Sequence, residues 1–485
     1  MPLPRKAWRH ATIALALAGT LTTAPAQAVE FDLPQLGSAT SGVNPSEEYR
    51  LGRTWLRQFR ARAPLWQDPI SQDYVDTLIA RLLPDSGIRR NHLLVTLVDS
   101  RVLNAFAVPG GVVGVNAGLF AFAKDEAALA SVLAHELGHL SLRHYARQQA
   151  RAEETQLPTM AAMLAGMLIA AGGGGDAGIA AAMGSQAAFF QDQLAYSRRY
   201  EQEADRQGLQ VMREAGYDPQ AMVDMFRAMQ RQAALQGGNP PEFLLTHPLT
   251  ESRISDIQAR AMGLGTGTVR DPGPQYDMVR ARALLRIHQD APVQATSLLA
   301  QSDPSPAAKR YLAALVRARQ GDLAGALSAL DTLAREWPDL PLIPTSAAEL
   351  ALDAGQHGEA LSRSQHVLRL MPDYFPARLI EAEALLQQEP KAAFRALRDL
   401  AEKRPEDPQV FNLLSEAAGR SDREAWSHLA RAEHLQLTGH ITQAIRQLDI
   451  AEDVAKQEND VGTIGRVEER REAFETYRED LKDFQ

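Results

Sequence analysis

The hydrophobic and polar positions between residues 93 and 120 follow the pattern of short β-strands. Apolar runs in LLVTLVDS and in NAFAVPGGVVGVNAGLF are separated by Pro109, Gly110 and Gly111, which form a turn signal. A helical pattern begins at Asp125 and places apolar side chains three or four residues apart, at Leu129, Val132, Leu133, Leu137 and Leu140. We therefore expect a small sheet that is followed by one long helix.

Residues 157–170, LPTMAAMLAGMLIA, form an almost continuous apolar run that leads into the glycine-rich segment 171–178. At about 1.5 Å per residue a helix of this run is about 21 Å long, which is shorter than the ~30 Å hydrocarbon layer of a membrane. Two interpretations remain open. The run is either a buried core helix with a loop, or it serves as a mobile lid or as a segment that contacts a membrane or the surface of a client.

After about residue 275 the chain becomes rich in Ala, Leu and Arg, and it repeats with a period of 34 residues. The matching positions are Gly321 and Gly355, Ala326-Leu327 and Ala360-Leu361, Trp337-Pro338-Asp339 and Met371-Pro372-Asp373, then Pro405, and Gly439 with Ala444. Small residues let paired helices approach closely, and proline ends a helix. The units resemble tetratricopeptide repeats and predict an α-solenoid, although QQEPKAAF lacks the usual turn, and a generic helical bundle is the alternative.

The first residues have the features of an export signal. Arg5, Lys6 and Arg9 precede an apolar run over residues 11–21, and Ala26-Gln27-Ala28 is a cleavage pattern of small residues. The apolar run is about half as long as a membrane span. We expect a signal peptide at residues 1–28 and a periplasmic protein.

Composition narrows the chemistry further. The chain has no cysteine, which excludes a catalytic thiol and cysteine-bound metals, so any metal must be held by His, Asp or Glu. Its formal net charge is −9, which argues against a nucleic-acid partner.

The long helix carries the sequence His135-Glu136-Leu137-Gly138-His139, an HExxH pattern. Four residues span just over one helical turn, so both imidazoles project from one face and can bind the same tetrahedral ion. Glu136 is next to a ligand and can take a proton from water that the metal activates. This spacing predicts metal-assisted hydrolysis of a peptide bond.

A third ligand is expected in SRRYEQEADRQG, where Glu201 and Asp205 lie four residues apart on a second helix. We expect Glu201 to bind the metal and Asp205 to support the site. Glu203 is the alternative ligand, but it would point roughly 200° away from Glu201, towards solvent. His144 follows His139 by five residues, which places it away from the ligand face, and we interpret it as structural.

His247 precedes a proline and is followed six residues later by Arg253. It could donate a hydrogen bond to the oxyanion that forms when water attacks, or it could occupy the fourth position on the metal and keep the enzyme inactive. Packing beside the turn is a third interpretation.

HELGH, the downstream Glu-x-x-Ala-Asp, NAFAVPGG and THPLTESRI together resemble the peptidase family of CAAX prenyl proteases and their soluble relatives, over residues 45–265. The resemblance implies an α-rich zincin-type (gluzincin) domain with one zinc ion per chain. It also implies that His135, His139 and Glu201 are the ligands, that Glu136 is catalytic and that Asp205 donates a proton. On physical grounds we favour Asp205 as a residue that orients a ligand, because a carboxylate is normally ionised at neutral pH.

We therefore predict a mainly α protein, with a zinc metallopeptidase domain at residues 29–270 and a tetratricopeptide-repeat domain at residues 275–485. A signal peptide and such repeats, without spanning helices, resemble the soluble periplasmic members of the family. That resemblance implies a role in outer-membrane protein quality control, with outer-membrane β-barrel proteins and the barrel-assembly machinery as partners. The protein would degrade misassembled clients and assist the maturation of others.

Two alternatives and one hypothesis about clients accompany this prediction. The protein could be a chaperone or scaffold whose repeats bind the assembly machinery while the peptidase site is shut. Membrane-embedded processing of prenylated proteins is disfavoured, because the chain lacks spanning helices. We also expect an extended client to pair with the edge of the GGVVGVNAG strand, near Val113.

Overall fold

The architecture is known from a computed structural model, which describes residues 45–88, 93–152, 154, 197–235, 241–265, 270–271 and 273–483. These residues form a mainly α-helical protein with one small sheet, so the predicted fold class is confirmed. The predicted signal peptide, the apolar run at 157–170 and the glycine-rich segment at 171–178 lie outside the described residues. The predicted domain boundaries stay predictions.

The sheet has three strands in the order β1, β3, β2: β1 is Leu94–Val98, β2 is Ala105–Val108 and β3 is Val112–Asn116. The central strand β3 runs parallel to β1 and antiparallel to β2. Gly110 and Gly111 form the predicted turn between β2 and β3, with φ angles of 80° and 84° that favour glycine.

The hypothesis that a client pairs with the edge of the GGVVGVNAG strand is wrong. Those residues form β3, and Val113 has Val95 on one side and Ala107 on the other. The β2–β3 turn folds β2 onto one edge of β3, and β1 covers the other, so the main chain of β3 is already paired on both sides. The strands at the edges of the sheet are β1 and β2.

Helices surround the sheet in the N-terminal half, which we define as residues 45–265. They are α1 (Pro45–Arg62), α2 (Pro69–Leu82), α3 (Ala117–Phe122), α4 (Glu126–Ser141), α5 (144–152), α6 (197–214), α7 (Gln220–Leu235), α8 (Glu242–Thr246) and α9 (Glu251–Leu264). The long helix predicted from Asp125 is α4. The Asp125 carboxylate caps it by accepting a hydrogen bond from the Ala128 N–H over 2.8 Å. Most of α4 is buried, which makes it the central helix of this half.

The remaining helices form what we call the helical array, residues 275–483. They are α10 (Gln275–Ile287), α11 (Pro292–Ala300), α12 (Pro306–Arg319), α13 (Leu323–Glu336), α14 (Leu342–Asp353), α15 (His357–Leu370), α16 (Phe375–Gln388), α17 (Pro390–Lys403), α18 (Pro408–Arg420), α19 (Glu424–Leu437), α20 (Ile441–Glu458) and α21 (Val461–Asp483). Successive helices pack against each other, as expected for an α-solenoid. The repeated glycines Gly321 and Gly355 lie in turns between helices, with φ angles of 90° and 72°, and the repeated Ala326 and Ala360 are fully buried.

The array packs along the N-terminal half, and a buried ion pair of Arg282 joins the two. Arg282 of α10 binds Asp68, the residue that caps α2, over 2.7 Å, and it binds Glu349 of α14 over 2.8 Å. At the far end of the array, α21 contacts α1. The array is therefore held against the N-terminal half at both ends. Among the described residues no helix is both long enough and apolar enough to cross a membrane.

Candidate metal centre

Helix α4 places the two histidines of the HExxH pattern side by side. The ring centroids of His135 and His139 are 4.8 Å apart, and their Nε2 atoms are 3.1 Å apart. His135 is fully buried. The one-turn spacing predicted from the sequence therefore produces a pair of imidazole nitrogens that point to one spot.

Helix α6 crosses α4 closely enough to bring a carboxylate to this pair. A Cβ atom on Gly138 would lie 2.9 Å from the Ala204 carbonyl oxygen, so only glycine fits at this crossing. As a result, Glu201 reaches both histidines. Its Oε1 lies 3.3 Å from His139 Nε2, and its Oε2 lies 3.5 Å from His135 Nε2.

His247 completes the cluster from the end of α8. Its Nδ1 atom lies 3.3 Å from His135 Nε2, and 3.1 and 3.2 Å from the two Glu201 oxygens. The ring stacks on Phe243, with centroids 4.7 Å apart, which fixes its orientation. His135, His139, Glu201 and His247 thus offer one ligand atom each, and all four atoms lie within 4.8 Å of one another.

This donor set fits a metal ion. Three imidazole nitrogens and a carboxylate oxygen are ligands of divalent transition metals. A tetrahedral ion with bonds of roughly 2.0–2.1 Å separates its ligand atoms by about 3.4 Å. The Nε2 atoms of His135 and His139 are 3.1 Å apart, and they lie 3.5 and 3.3 Å from different oxygens of Glu201, distances close to that spacing. Burial lowers the pKa of His139 to about 3 despite its Glu201 contact. Burial also disfavours the charged form of His135, but its hydrogen bonds to Asp205 and Glu201 outweigh that effect and raise its pKa to about 9, so metal binding would have to displace a proton from this ring.

Asp205 and Arg253 lie behind His135. The Asp205 Oδ1 atom is 2.9 Å from His135 Nδ1, on the side of the ring that faces away from the cluster. Arg253 donates two hydrogen bonds to the Asp205 carboxylate, over 2.7 and 2.8 Å, and its Nη1 lies 2.9 Å from Glu201 Oε2. Burial alone would raise the pKa of Asp205, but the hydrogen bonds from Arg253 and His135 outweigh it and lower the pKa. The sequence prediction named Arg253 without giving it a role, and only the fold shows that one guanidinium supports both carboxylates.

Glu136 lies on the other side of the cluster, next to the sheet. Its side chain is buried, and Oε1 has no hydrogen-bond partner among the described residues, although His247 Nε2 is 3.5 Å away. Burial raises the pKa of Glu136, while a hydrogen bond from the backbone of Ala107 in β2 partly offsets that effect. A buried carboxylate oxygen without a partner is poised to accept a proton.

Glu203, the alternative ligand, does not join the cluster. It points outwards and accepts hydrogen bonds from Arg147 and Arg199, over 2.7 and 2.9 Å. His144 is not one of the four ligand residues either. It contacts one of them, however, because its Nδ1 lies 3.0 Å from His139 Nδ1. Burial lowers the pKa of His144 to about 4, so its ring is neutral.

Comparisons with known proteins agree with this geometry. Residues 69–261 match peptidase family M48. The chain is 32% identical to the beta-barrel assembly-enhancing protease of Yersinia pestis over 430 residues, which cover 86% of this chain and 87% of that protein. It is 31% identical to the protein of the same name from Escherichia coli K12 over 442 residues, 89% of this chain and 90% of that protein. A shorter match, 32% over 185 residues, covers 38% of this chain and 51% of the mitochondrial metalloendopeptidase OMA1 of Schizosaccharomyces pombe. The similarity to the two bacterial proteases therefore extends beyond residues 69–261 into the helical array.

Proposed function

This chain belongs to peptidase family M48 and is a metallopeptidase, and from that premise we propose that it is a zinc-dependent endopeptidase of the periplasm that degrades misassembled outer-membrane β-barrel proteins. One observation carries the catalytic part of the proposal. Two imidazoles and a distant carboxylate place ligand atoms within 4.8 Å of one another, where they can hold one ion. The buried Glu136 carboxylate lies beside them, and one of its oxygens has no hydrogen-bond partner among the described residues.

In the proposed reaction His135, His139 and Glu201 hold the ion. The chain has no cysteine, so the ligands are two imidazole nitrogens and one carboxylate. Among the common metals, zinc suits this ligand set best. When bound, zinc supplies Lewis acidity, which polarises the scissile carbonyl and lowers the pKa of water to about 7. Glu136 Oε1 takes the proton from the attacking water and later passes it to the leaving amine.

Asp205 orients His135 in this proposal rather than donating a proton. The lowered pKa of its carboxyl group keeps it ionised at neutral pH, and both oxygens are engaged by Arg253. An ionised carboxylate beside Nδ1 stabilises the tautomer in which His135 Nε2 is free to bind metal.

Three observations support the proposed clients and location. The bacterial relatives named for β-barrel assembly match 86% and 89% of this chain. Residues 1–28 have the pattern of a signal peptide. The edge strand nearest to Glu136 is β2, whose Ala107 backbone contacts the Glu136 carboxylate, so an extended client that pairs with β2 would lie across the site.

We expect the purified mature chain to contain one zinc ion and to cleave an unfolded outer-membrane β-barrel protein but not the same barrel folded in detergent. A chelator should abolish cleavage, and added Zn²⁺ should restore it. Metal analysis and gel-based cleavage assays measure both effects. Cleavage that survives complete removal of metal would contradict the metallopeptidase mechanism, and equal cleavage of the folded barrel would contradict the proposed client.

His247 favours a second candidate function, that of a scaffold or chaperone with a self-inhibited peptidase site. Its Nδ1 takes the fourth place in the donor cluster, where it would compete with water. In this state the array would bind the assembly machinery while cleavage is suppressed.

We expect His247→Ala to raise the rate of casein cleavage. The increase is on the order of tenfold if the blocked state of the site is more stable than the open state by about 1.4 kcal/mol. His366→Ala removes an exposed histidine of the array and serves as the control, with no expected change. A loss of 10²- to 10³-fold in kcat would instead identify His247 as an oxyanion donor.

A further inference from the structure

The ring of His139 has two nitrogens with different surroundings. Its Nε2 faces the cluster, 3.3 Å from Glu201 Oε1. Its Nδ1 faces the opposite way and lies 3.0 Å from Nδ1 of His144, within hydrogen-bond distance. His135 is arranged in the same manner, because its Nδ1 lies 2.9 Å from Asp205 Oδ1. Each histidine of the HExxH pattern therefore has its own partner behind it.

Two imidazole nitrogens can share only one proton. If His139 binds metal through Nε2, its Nδ1 must carry the proton and donate it. His144 Nδ1 must then be the acceptor and carries no proton, so the proton of the His144 ring is on Nε2. That atom lies 3.4 Å from Glu203 Oε2, so it has a carboxylate to donate to. The hydrogen bonds then run in one direction, because His139 donates to His144 and His144 donates to Glu203.

We propose that His144 is a positioning residue that fixes the tautomer and ring orientation of His139 for metal binding. This inference rests on the proposed function, since it requires His139 to be a ligand. It revises the sequence-based interpretation of His144, which considered the direction of a continuous helix and missed the contact that forms once the helix ends.

The rigid surroundings of His144 agree with such a role. Only 4% of the residue is exposed. Its ring stacks on Tyr200, with centroids 4.6 Å apart and planes 20° apart. Glu203 in turn accepts a hydrogen bond from Arg147 over 2.7 Å. The acceptor nitrogen is thus held in place from the far side.

The backbone between α4 and α5 brings the two rings together. Helix α4 ends at Ser141, and Arg143 has a φ angle of 50°. This angle lies in the left-handed region, which residues other than glycine rarely adopt. This reversal starts α5 at His144 and turns its ring back towards His139. Such backbone strain persists only where the surrounding structure enforces it. Here Arg143 is held by Glu48, whose carboxylate accepts its Nε hydrogen over 3.1 Å.

The test compares the full mature chain with His144→Leu and His144→Asn. Leucine fills the space without an acceptor, whereas the amide oxygen of asparagine can take the place of Nδ1. The readout is the Kd for Zn²⁺, measured by competition with a chromophoric chelator, and the thermal unfolding of the metal-free chain shows whether each variant folds. We expect His144→Leu to bind Zn²⁺ 10- to 100-fold more weakly than wild type, and His144→Asn to recover most of that loss.

The outcomes separate this inference from the proposed function. A wild-type chain that binds no zinc would overturn both. If wild type binds zinc and His144→Leu binds it equally well, or if Leu and Asn weaken it alike, only the positioning role of His144 is overturned. Should the leucine variant fail to fold, ¹⁵N NMR of the histidine rings in the zinc-loaded wild type decides. Protons on His139 Nδ1 and His144 Nε2 are expected, and a proton on His144 Nδ1 would overturn the inference.

Discussion

Replacing Glu136 by Gln is expected to lower kcat/KM for peptide cleavage by about 10²- to 10⁴-fold while zinc stays bound. The amide has nearly the same shape as the carboxylate but cannot accept the proton of the attacking water. Burial already raises the pKa of Glu136, so the neutral side chain suits its surroundings and the fold should persist. Cleavage of an unfolded β-barrel client and zinc content, measured on the same preparation, test this expectation.

Glu214→Gln provides the matched control, because Glu214 is an exposed residue of α6 away from the cluster. It should retain wild-type activity. Glu136→Gln also distinguishes the proposed enzymatic function from the proposed scaffold function. Binding to the assembly machinery should survive the change, whereas a client that depends on cleavage should accumulate. Undiminished cleavage by Glu136→Gln would exclude this residue as the base.

Replacing Arg253 by Met is expected to destabilise the protein by about 3–5 kcal/mol. Arg253 is only 2% exposed, and it compensates the charges of Asp205 and Glu201. Its removal would leave two carboxylates buried without their shared partner. Methionine preserves much of the aliphatic volume, so the loss reports on charge and hydrogen bonding more than on packing.

Denaturant unfolding of the full chain measures this cost, with Arg260→Met as the control. Arg260 lies on the same helix, α9, but its ion pair with Asp256 is exposed, so the change should stay within about 0.5 kcal/mol. An equal effect of both substitutions would contradict the buried role of Arg253.

The pH dependence gives a further check on Arg253→Met. Because the pKa of Asp205 is lowered below 3.8, its stabilising contribution is complete above that pH and is lost as the pH falls through the lowered pKa. Wild type and Arg253→Met should therefore become closer in stability as the medium is acidified. A difference that stays constant with pH would mean that Arg253 acts through packing instead.

The sequence predicted those parts of the site that depend on local spacing. His135 and His139 are one turn apart on a helix whose beginning near Asp125 was also predicted from the sequence. Glu201 was predicted as the third ligand on chemical grounds, because a metal needs a third ligand and Glu201 occupies the expected motif. Its position beside the two histidines could not be derived from the spacing of residues. The structure adds the reason, which is the close crossing at Gly138.

Contacts between distant segments could not be predicted in this way. The pairing of β3 on both edges depends on β1, which pairs with β3 and not with β2, the strand that follows β1 in the sequence. The role of Arg253 depends on how α9 packs over α6. His144 required the break after Ser141, since a one-residue change in backbone direction reorients the whole side chain. Periodicity describes a single helix and carries no information on what lies beside its end.

The buried guanidinium of Arg282 has a consequence for communication across the molecule. It binds Glu349 of the array and Asp68, which caps α2, and α2 packs against α4, the helix that carries both histidines. A displacement of α14 would pull on this ion cluster, in which the side chains of Arg282 and Asp68 are buried and have little water to replace a lost partner. Through these contacts a movement of α14 would be transmitted to the helix that carries the metal centre, although α14 itself does not touch it.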